Sequence, residues 1–199
     1  FDVSLILYAE HSFNVSTFTA RTITSSLSDI HGAITGAIAS LKGPLHGGAN
    51  EEVMHMMNKI KKPENALKWI NNALSKKEVV MGFGHRVYKS GDSRVPTMEK
   101  YFKNVSRIKS DKKFIKIYNI VKKVMIDKKN IHPNVDYPTG PTYHLMGFDT
   151  DFFTPIFVTS RITGWSAHIM EQHAANKLIR PLSKYSGQKH RKVMLLNQR

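Results

Sequence analysis

The chain has 199 residues, 41% hydrophobic and 23% charged, with no cysteine and a net charge of +15 from 30 Lys and Arg against 15 Asp and Glu. That length supports one substantial core or two small lobes, while the lack of Cys excludes a disulfide scaffold, a thiolate metal site and a cysteine nucleophile. No apolar run reaches the roughly 18 residues of a membrane span, and the positive charge points either to an anionic partner or simply to lysines chosen for solvated faces.

The pattern is mostly helical. From Asn14 to Lys42 runs a stretch rich in Thr, Ser, Ala, Ile and Gly, broken near Ser28-Asp29. Its second half carries Gly32, Ala33, Gly36, Ala37, Ala39 and Ser40 at spacings that let helices approach closely. This reads as an ordinary core helix or as a seam beneath a site or a dimer contact. Gly43-Pro44 then stops it. Pro63 opens a helix to Lys77, with Ala66, Leu67, Ile70, Ala73 and Leu74 on one stripe. Val79-Val80-Met81 is the best strand signal and is short. Pro96 opens another helix, with Met98, Tyr101, Phe102 and Val105 along one side. Asp111 can cap a helix to about Ile126, whose apolar face is Phe114, Ile117, Tyr118, Val121, Val124 and Met125. Its opposite face holds Lys112, Lys113, Lys116, Lys122 and Lys123 without interleaved aromatic or Arg residues, so it reads as solvated rather than as a nucleic-acid surface. Further helices start near Pro138 and Pro155, the last running through Trp165 to Leu178.

Three breaks between helices carry chemical side chains. Gly43-Pro44-Leu45-His46-Gly47-Gly48-Ala49-Asn50 sets a histidine in a turn leading to a helix that begins near Glu51, and the glycines permit close backbone approach to a ligand. A helix N-terminus disfavours an imidazolium, so His46 is expected to be neutral and able to donate to a carbonyl gaining enolate character. Met81-Gly82-Phe83-Gly84-His85-Arg86-Val87-Tyr88-Lys89 joins a histidine to cations at 86, 89 and 94, which suits an anionic ligand with a group to be protonated. His132-Pro133-Asn134-Val135-Asp136-Tyr137-Pro138 holds a carboxylate between prolines. On spacing alone Asp136 reads as an N-cap for the helix after Pro138; a fixed catalytic carboxylate is the alternative. A metal reading of two His and one Asp is weaker, because the loops offer no further carboxylate and His168 and His173 are poorly spaced.

Taken together, Gly-Pro-Leu-His-Gly-Gly-Ala-Asn, Gly-Phe-Gly-His-Arg-Val-Tyr-Lys and Pro-Asn-Val-Asp closely resemble the citrate synthase family, over a span from about Leu5 to Tyr185. The resemblance implies an all-α, two-domain helical fold with its active site in the cleft. Portions 1–49 and 142–199 would belong to the large domain and 50–141 to the small one. Family members are longer. The chain would correspond to their C-terminal half, which agrees with its opening on Phe1 rather than Met. The implied reaction joins an acyl-CoA to oxaloacetate. Asp136 would be the base that removes the thioester α-proton. His46 would donate to the thioester oxygen, and His85 would polarise the oxaloacetate ketone. His11, Arg94 and Arg161 would bind oxaloacetate. Arg180 would reach into the site of a partner subunit in a homodimer, of which residues 14–42 would form part of the interface. Lys89 and the backbone of Val80, Met81, Gly82 and Phe83 would meet CoA.

The chemistry of the residues agrees with these implied roles. Oxaloacetate is a dianion, which suits guanidinium groups. A thioester α-proton is a poor acid, so a carboxylate needs an electrophilic partner contributing roughly 3–4 kcal/mol. Two histidines and an aspartate suffice without a metal or organic cofactor. No partner membrane or nucleic acid is expected, and a cytoplasmic setting is, with the mitochondrial matrix as the alternative. Ser12 and Tyr8 stand where many family members have Glu and a second His. The Tyr form, with Pro138-Thr139-Gly140-Pro141 and Gly164-Trp165 through Gln172, looks more like the methylcitrate synthases, which favours propionyl-CoA over acetyl-CoA. A different class stays open, a family-derived structural subunit that binds an anionic partner through the +15 charge.

Overall fold

Local side-chain chemistry sets most helix boundaries in the computed structural model, which describes residues 1–85, 87–88 and 90–199. Helix α1 (Asp2–Ala9) precedes α2 (Val15–Ser25), which starts where the Asn14 side chain accepts the Thr17 N–H. Asp29 does the same for Gly32 at 2.8 Å to open α3 (Ile30–Leu41). Helix α4 (Ala49–Ile60) begins two residues before Glu51, and α5 (Pro63–Ser75) has Pro63 in its first turn. Helix α6 spans Val95–Ile108. Helix α7 (Lys113–Lys129) starts after Asp111, whose carboxylate accepts the N–H groups of Lys113, Phe114 and Ile115. Helix α8 (Asp136–Met146) places Pro138 in its first turn, and α9 (Phe153–Ala174) follows a single 3-10 turn at Thr150–Phe152.

Two expectations fail. The last long helix ends at Ala174 rather than at Leu178. The strand over Val79–Met81 does not form; among the described residues the β pairing is a single bridge between Phe83 and Pro133. Gly82 and Gly84 adopt φ of +81° and +79°, which breaks the extended run after two or three residues. The segment is held instead by Asn134 N–H to Gly82 O and Gly84 N–H to His132 O, both 2.9 Å. The second and third of the chemically marked loops are thereby fastened side by side.

Apolar burial is organised in two clusters. One gathers Val53, Met54, Met57 and Ile60 of α4, Ile70 of α5, Phe102 of α6, Ile117, Tyr118 and Val121 of α7, and Tyr137 and Tyr143 of α8. The other gathers Tyr8 of α1, Ala20 of α2, Ala33, Ala37 and Leu41 of α3, and Phe157, Trp165 and Ile169 of α9. The regular stripes of α5 and α7 face each other in the first cluster. In the second, small residues decide the approach: a Cβ on Gly36 would collide with Ile23 of α2. No described helix is long and apolar enough to cross a membrane.

Gly164 brings α9 against the end of α1. A methyl group there would overlap the Ala9 carbonyl oxygen and press on Glu10 Cα at 3.2 Å. Because backbone cannot yield as a side-chain tip does, Gly164→Ala is expected to lower stability by about 1–3 kcal/mol, read as a fall in the urea unfolding midpoint.

Candidate active site

The three marked loops and the end of α1 converge on one cleft of about 810 Å³, lined among others by His11, His46, His85, Arg94, Asp136 and Arg161. Six residues singled out in the sequence thus meet in space.

His46 lies in the turn ahead of α4. Its Nε2 accepts the Ser16 backbone N–H at 3.3 Å and lies 2.8 Å from Ser16 Oγ. Nε2 therefore holds a lone pair, and the neutral ring carries its proton on Nδ1. Burial, with Arg161 and His11 adding, pushes the His46 pKa down to about 4. The neutrality expected from a helix terminus is thus produced mainly by burial and neighbouring cations.

His85 has the opposite arrangement. Its Nδ1 accepts the Val87 N–H at 3.1 Å, so the proton sits on Nε2, 3.3 Å from Nε2 of His11. The two rings meet edge-on at 5.2 Å. Burial lowers the His85 pKa, aided by Arg94 and opposed by Asp92. His11 is pushed down to about 4 by burial, then by Arg94, Arg161 and His85. All three imidazoles are neutral near pH 7.

Asp136, the first residue of α8, does not cap its helix with its side chain. Its Oδ1 instead accepts the Tyr8 hydroxyl at 2.6 Å, while its backbone N–H donates to Asn134 Oδ1 at 3.1 Å. The N-cap reading is therefore replaced by one in which the carboxylate faces the cleft. Burial raises its pKa to about 6, against the pull of the Tyr8 hydrogen bond and of Arg94. A half-buried carboxylate with a pKa that high is a competent base at neutral pH.

Arg94 is held by Asp92, with Nε to Oδ1 at 2.9 Å and Nη2 to Oδ2 at 2.7 Å. Asp92 is 3% exposed, and its Oδ2 also accepts the Val135 N–H at 3.0 Å. One carboxylate thus fixes both the Arg94 guanidinium and the residue preceding Asp136. Arg161, 1% exposed on α9, donates through Nε to the Tyr8 carbonyl and stacks over Phe157 at 4.8 Å. Its Nη1 has no protein partner among the described residues. Burial and the nearby Arg94 lower its pKa to about 10, so it remains a cation. A buried cation with a spare donor in a cleft suits a carboxylate ligand.

The remaining expectations fall elsewhere. Arg180 is exposed in the stretch after α9 and lies outside this chain's cleft. Val80 is 5% exposed and packs in the first apolar cluster with Met81, and Phe83 lies against Tyr137 at 4.3 Å. Gly82 is tucked against Val53 and Tyr137, and none of residues 80–83 lines the cleft. Lys89, like Arg86, is outside the described residues. Ser16 and Asp92 carried no functional weight in the sequence, where Tyr8 stood out only as a departure from a pattern. Of these, Asp92 alone had a local signal, as an Asp two residues before an Arg in a Gly-Asp-Ser-Arg turn.

A carboxylate, two neutral imidazoles of opposite tautomer and two guanidinium groups in an all-helical cleft form an arrangement chemically able to take a proton next to a carbonyl and to stabilise oxyanions. Residues 1–182 match the family described as citrate synthase, C-terminal domain. The chain is 59% identical over its whole length to 2-methylcitrate synthase 2 of Corynebacterium glutamicum, covering 52% of that protein. It is 57% identical over 98% of its length to a citrate synthase of Mycolicibacterium smegmatis, again covering 52%. Its fold superposes with a TM-score of 0.90 and 38% identity on citrate synthase from the archaeon Thermoplasma acidophilum, solved as a ternary complex with carboxymethyl coenzyme A and oxaloacetate, over 98% of this chain and 54% of that one. The chain belongs to the citrate synthase family, and it spans about half the length of these relatives.

The Tyr8 hydroxyl favours the ionised form of Asp136. Tyr8→Phe removes a hydrogen bond to charge worth about 1.5–3 kcal/mol, so the Asp136 midpoint should rise above about 6, by roughly one to two pH units. Titration of the Asp136 carboxyl carbon by NMR reads this directly.

Proposed function

We propose that this chain supplies the catalytic half of an enzyme that condenses an acyl-CoA with oxaloacetate, giving 2-methylcitrate or citrate and free CoA. The observation that carries the reading is the convergence of Asp136, His46 and His85 in one cleft, with His46 Nε2 and His85 Nδ1 each accepting a backbone N–H. In this reading the Asp136 carboxylate takes a proton from the carbon α to the thioester. Nδ1–H of His46 donates to the thioester oxygen as it gains negative charge. The enolate carbon then attacks the oxaloacetate ketone, and Nε2–H of His85 donates to the new alkoxide. Water finally cleaves the thioester and releases CoA.

Oxaloacetate would be held by Arg94, Arg161 and His11. The unpartnered Nη1 of Arg161 supports a carboxylate there. CoA would lie along the backbone of residues 80–83 and reach Lys89. We further infer a homodimer in which Arg180 serves the partner's site, supported by the exposure of Arg180 and of Phe18, Leu27 and Ile30 on α2 and α3 and the turn between them. In this reading 50–141 moves as a small domain against the rest, and the protons are handled by side chains without a resident cofactor. Closure would exclude water before condensation. Propionyl-CoA is favoured over acetyl-CoA, on the strength of Tyr8 and of the name carried by the Corynebacterium relative. The expected setting is the cytoplasm.

Turnover is measured on the full-length protein by following thiol release from propionyl-CoA and acetyl-CoA. Release should require oxaloacetate, with the higher kcat/KM for propionyl-CoA. Asp136→Asn should lower kcat by at least about 10²–10⁴. Thiol release independent of oxaloacetate, or unchanged in that variant, rejects the assignment.

Because Asp136 must be ionised to act, activity should fall as pH drops through its midpoint of about 6. His11 and His46 stay neutral until about 4, so they do not shape that limb. The acid side of the kcat/KM profile should therefore fall through a midpoint near that of Asp136, and Asp136→Asn should remove that component.

A further inference from the structure

His11 projects from the break between α1 and α2, and side chains outside the cleft hold that break in place. Residues 10–14 all line the cleft, whereas Arg21, His168 and Glu171 do not. Within the turn, Ser12 takes a φ of +49°, a conformation that costs a non-glycine residue and persists only where its surroundings hold it.

The main outside hold is His168 of α9, whose ring has two partners of fixed character. Its Nδ1 lies 2.9 Å from Nη1 of Arg21 on α2. A guanidinium can only donate, so Nδ1 carries a lone pair and the ring hydrogen sits on Nε2. That Nε2 lies 3.0 Å from Oε1 of Glu10, which as a carboxylate can only accept. Burial pushes the Glu10 carboxyl up, but the hydrogen bond from His168, with the Ser12 N–H adding, brings it below its usual range. Arg21, His168 and Glu10 therefore form a chain of hydrogen bonds that runs one way and leaves the imidazole no choice of tautomer. Arg21 is also anchored by the His168 carbonyl at 3.2 Å and by Glu171 at 3.0 Å. Its guanidinium lies over the Phe13 ring at 5.2 Å, and that ring meets His168 edge-on at 5.7 Å. The same pair thus grips Glu10 and Phe13, one on each side of His11 and Ser12. Asn14 closes the turn from within, its Nδ2 lying 3.3 Å from the carbonyl oxygens of His11 and of Ser12.

We propose that His168 is a positioning residue: it relays Arg21 to Glu10 and so fixes the turn from which His11 reaches its ligand. The relay stands on its own geometry; that the ligand is oxaloacetate rests on the condensation reading.

The test uses the full-length protein and three variants. His168→Leu removes both ring nitrogens, Glu10→Ala removes the acceptor, and His168→Gln keeps an Nε2 donor toward Glu10. In the first two, KM for oxaloacetate should rise about three- to tenfold, the loss of one hydrogen bond to a charged group that is half-exposed, while kcat and KM for propionyl-CoA stay within about twofold. His168→Leu combined with Glu10→Ala should be no worse than the poorer single variant, and His168→Gln should recover most of the loss. Nitrogen NMR of 15N-histidine-labelled protein should show His168 with a pyridine-type Nδ1 and a pyrrole-type Nε2. Amide exchange at Ser12 and Phe13 should quicken in His168→Leu while that of Ala33 and Ala37 in α3 does not change. A KM rise shared equally by both substrates, additive losses in the combined variant, or a hydrogen on Nδ1 of His168 overturns the proposal. Should His168→Leu unfold, Glu10→Ala decides by the same readings. If the unmodified protein releases no thiol with oxaloacetate, the condensation reading falls, and the tautomer and exchange readings decide the clamp on their own.

Discussion

A buried carboxylate shares one cleft with three imidazoles, and burial governs the charge of all four. Burial raises Asp136 to about 6, and the same burial lowers His11 and His46 to about 4. Desolvation moves acids and bases in opposite directions, toward their neutral forms. The two guanidinium groups act on both kinds of group in one direction, lowering the imidazoles further and holding Asp136 back from rising higher. Tyr8 trims the result by donating to Asp136. A cleft more open to water would let the values drift back toward those of free side chains, with a weaker base and partly charged donors.

The backbone holds these side chains by a few cross-links. Asp92 fastens Arg94 on one side and the Val135 N–H on the other, so the loop carrying His85 and the loop carrying Asp136 share a buried carboxylate. Gly82 and Gly84 let the same two loops exchange backbone hydrogen bonds at Asn134 and His132. On the opposite wall Gly164 allows α9 to lie on the end of α1, which brings Arg161 to the Tyr8 carbonyl. Rigid helices thus carry the site while short irregular segments aim it.

The sequence made the helices legible because their caps and stripes are local. Asn14, Asp29 and Asp111 act within a few residues, and the faces of α5 and α7 follow directly from period. The chemical loops were legible because histidine, arginine and aspartate stood among Gly and Pro. The failed strand shows the limit: three apolar residues suggested extension, but the positive φ of two glycines decided the path. Pairings between side chains far apart in the chain were invisible for a different reason. Tyr8 meets Asp136 across 128 residues and Trp165 meets Ser16 across 149, and no local pattern encodes such a pairing. In the sequence Tyr8 and Trp165 served only as signs of resemblance to the methylcitrate synthases; in the structure both are fully buried.

Arg161 illustrates how a binding site and a folded core can compete for the same group. Its Nε bond to the Tyr8 carbonyl anchors it, yet its Nη1 is buried without a protein acceptor. A buried donor left unmatched raises the free energy of the folded chain. An anion that enters and accepts that hydrogen removes the strain and gains the interaction together. Ligand affinity and conformational stability are then reciprocal expressions of one thermodynamic cycle. An anion bound at Nη1 of Arg161 would thus stabilise the fold that the unmatched donor weakens.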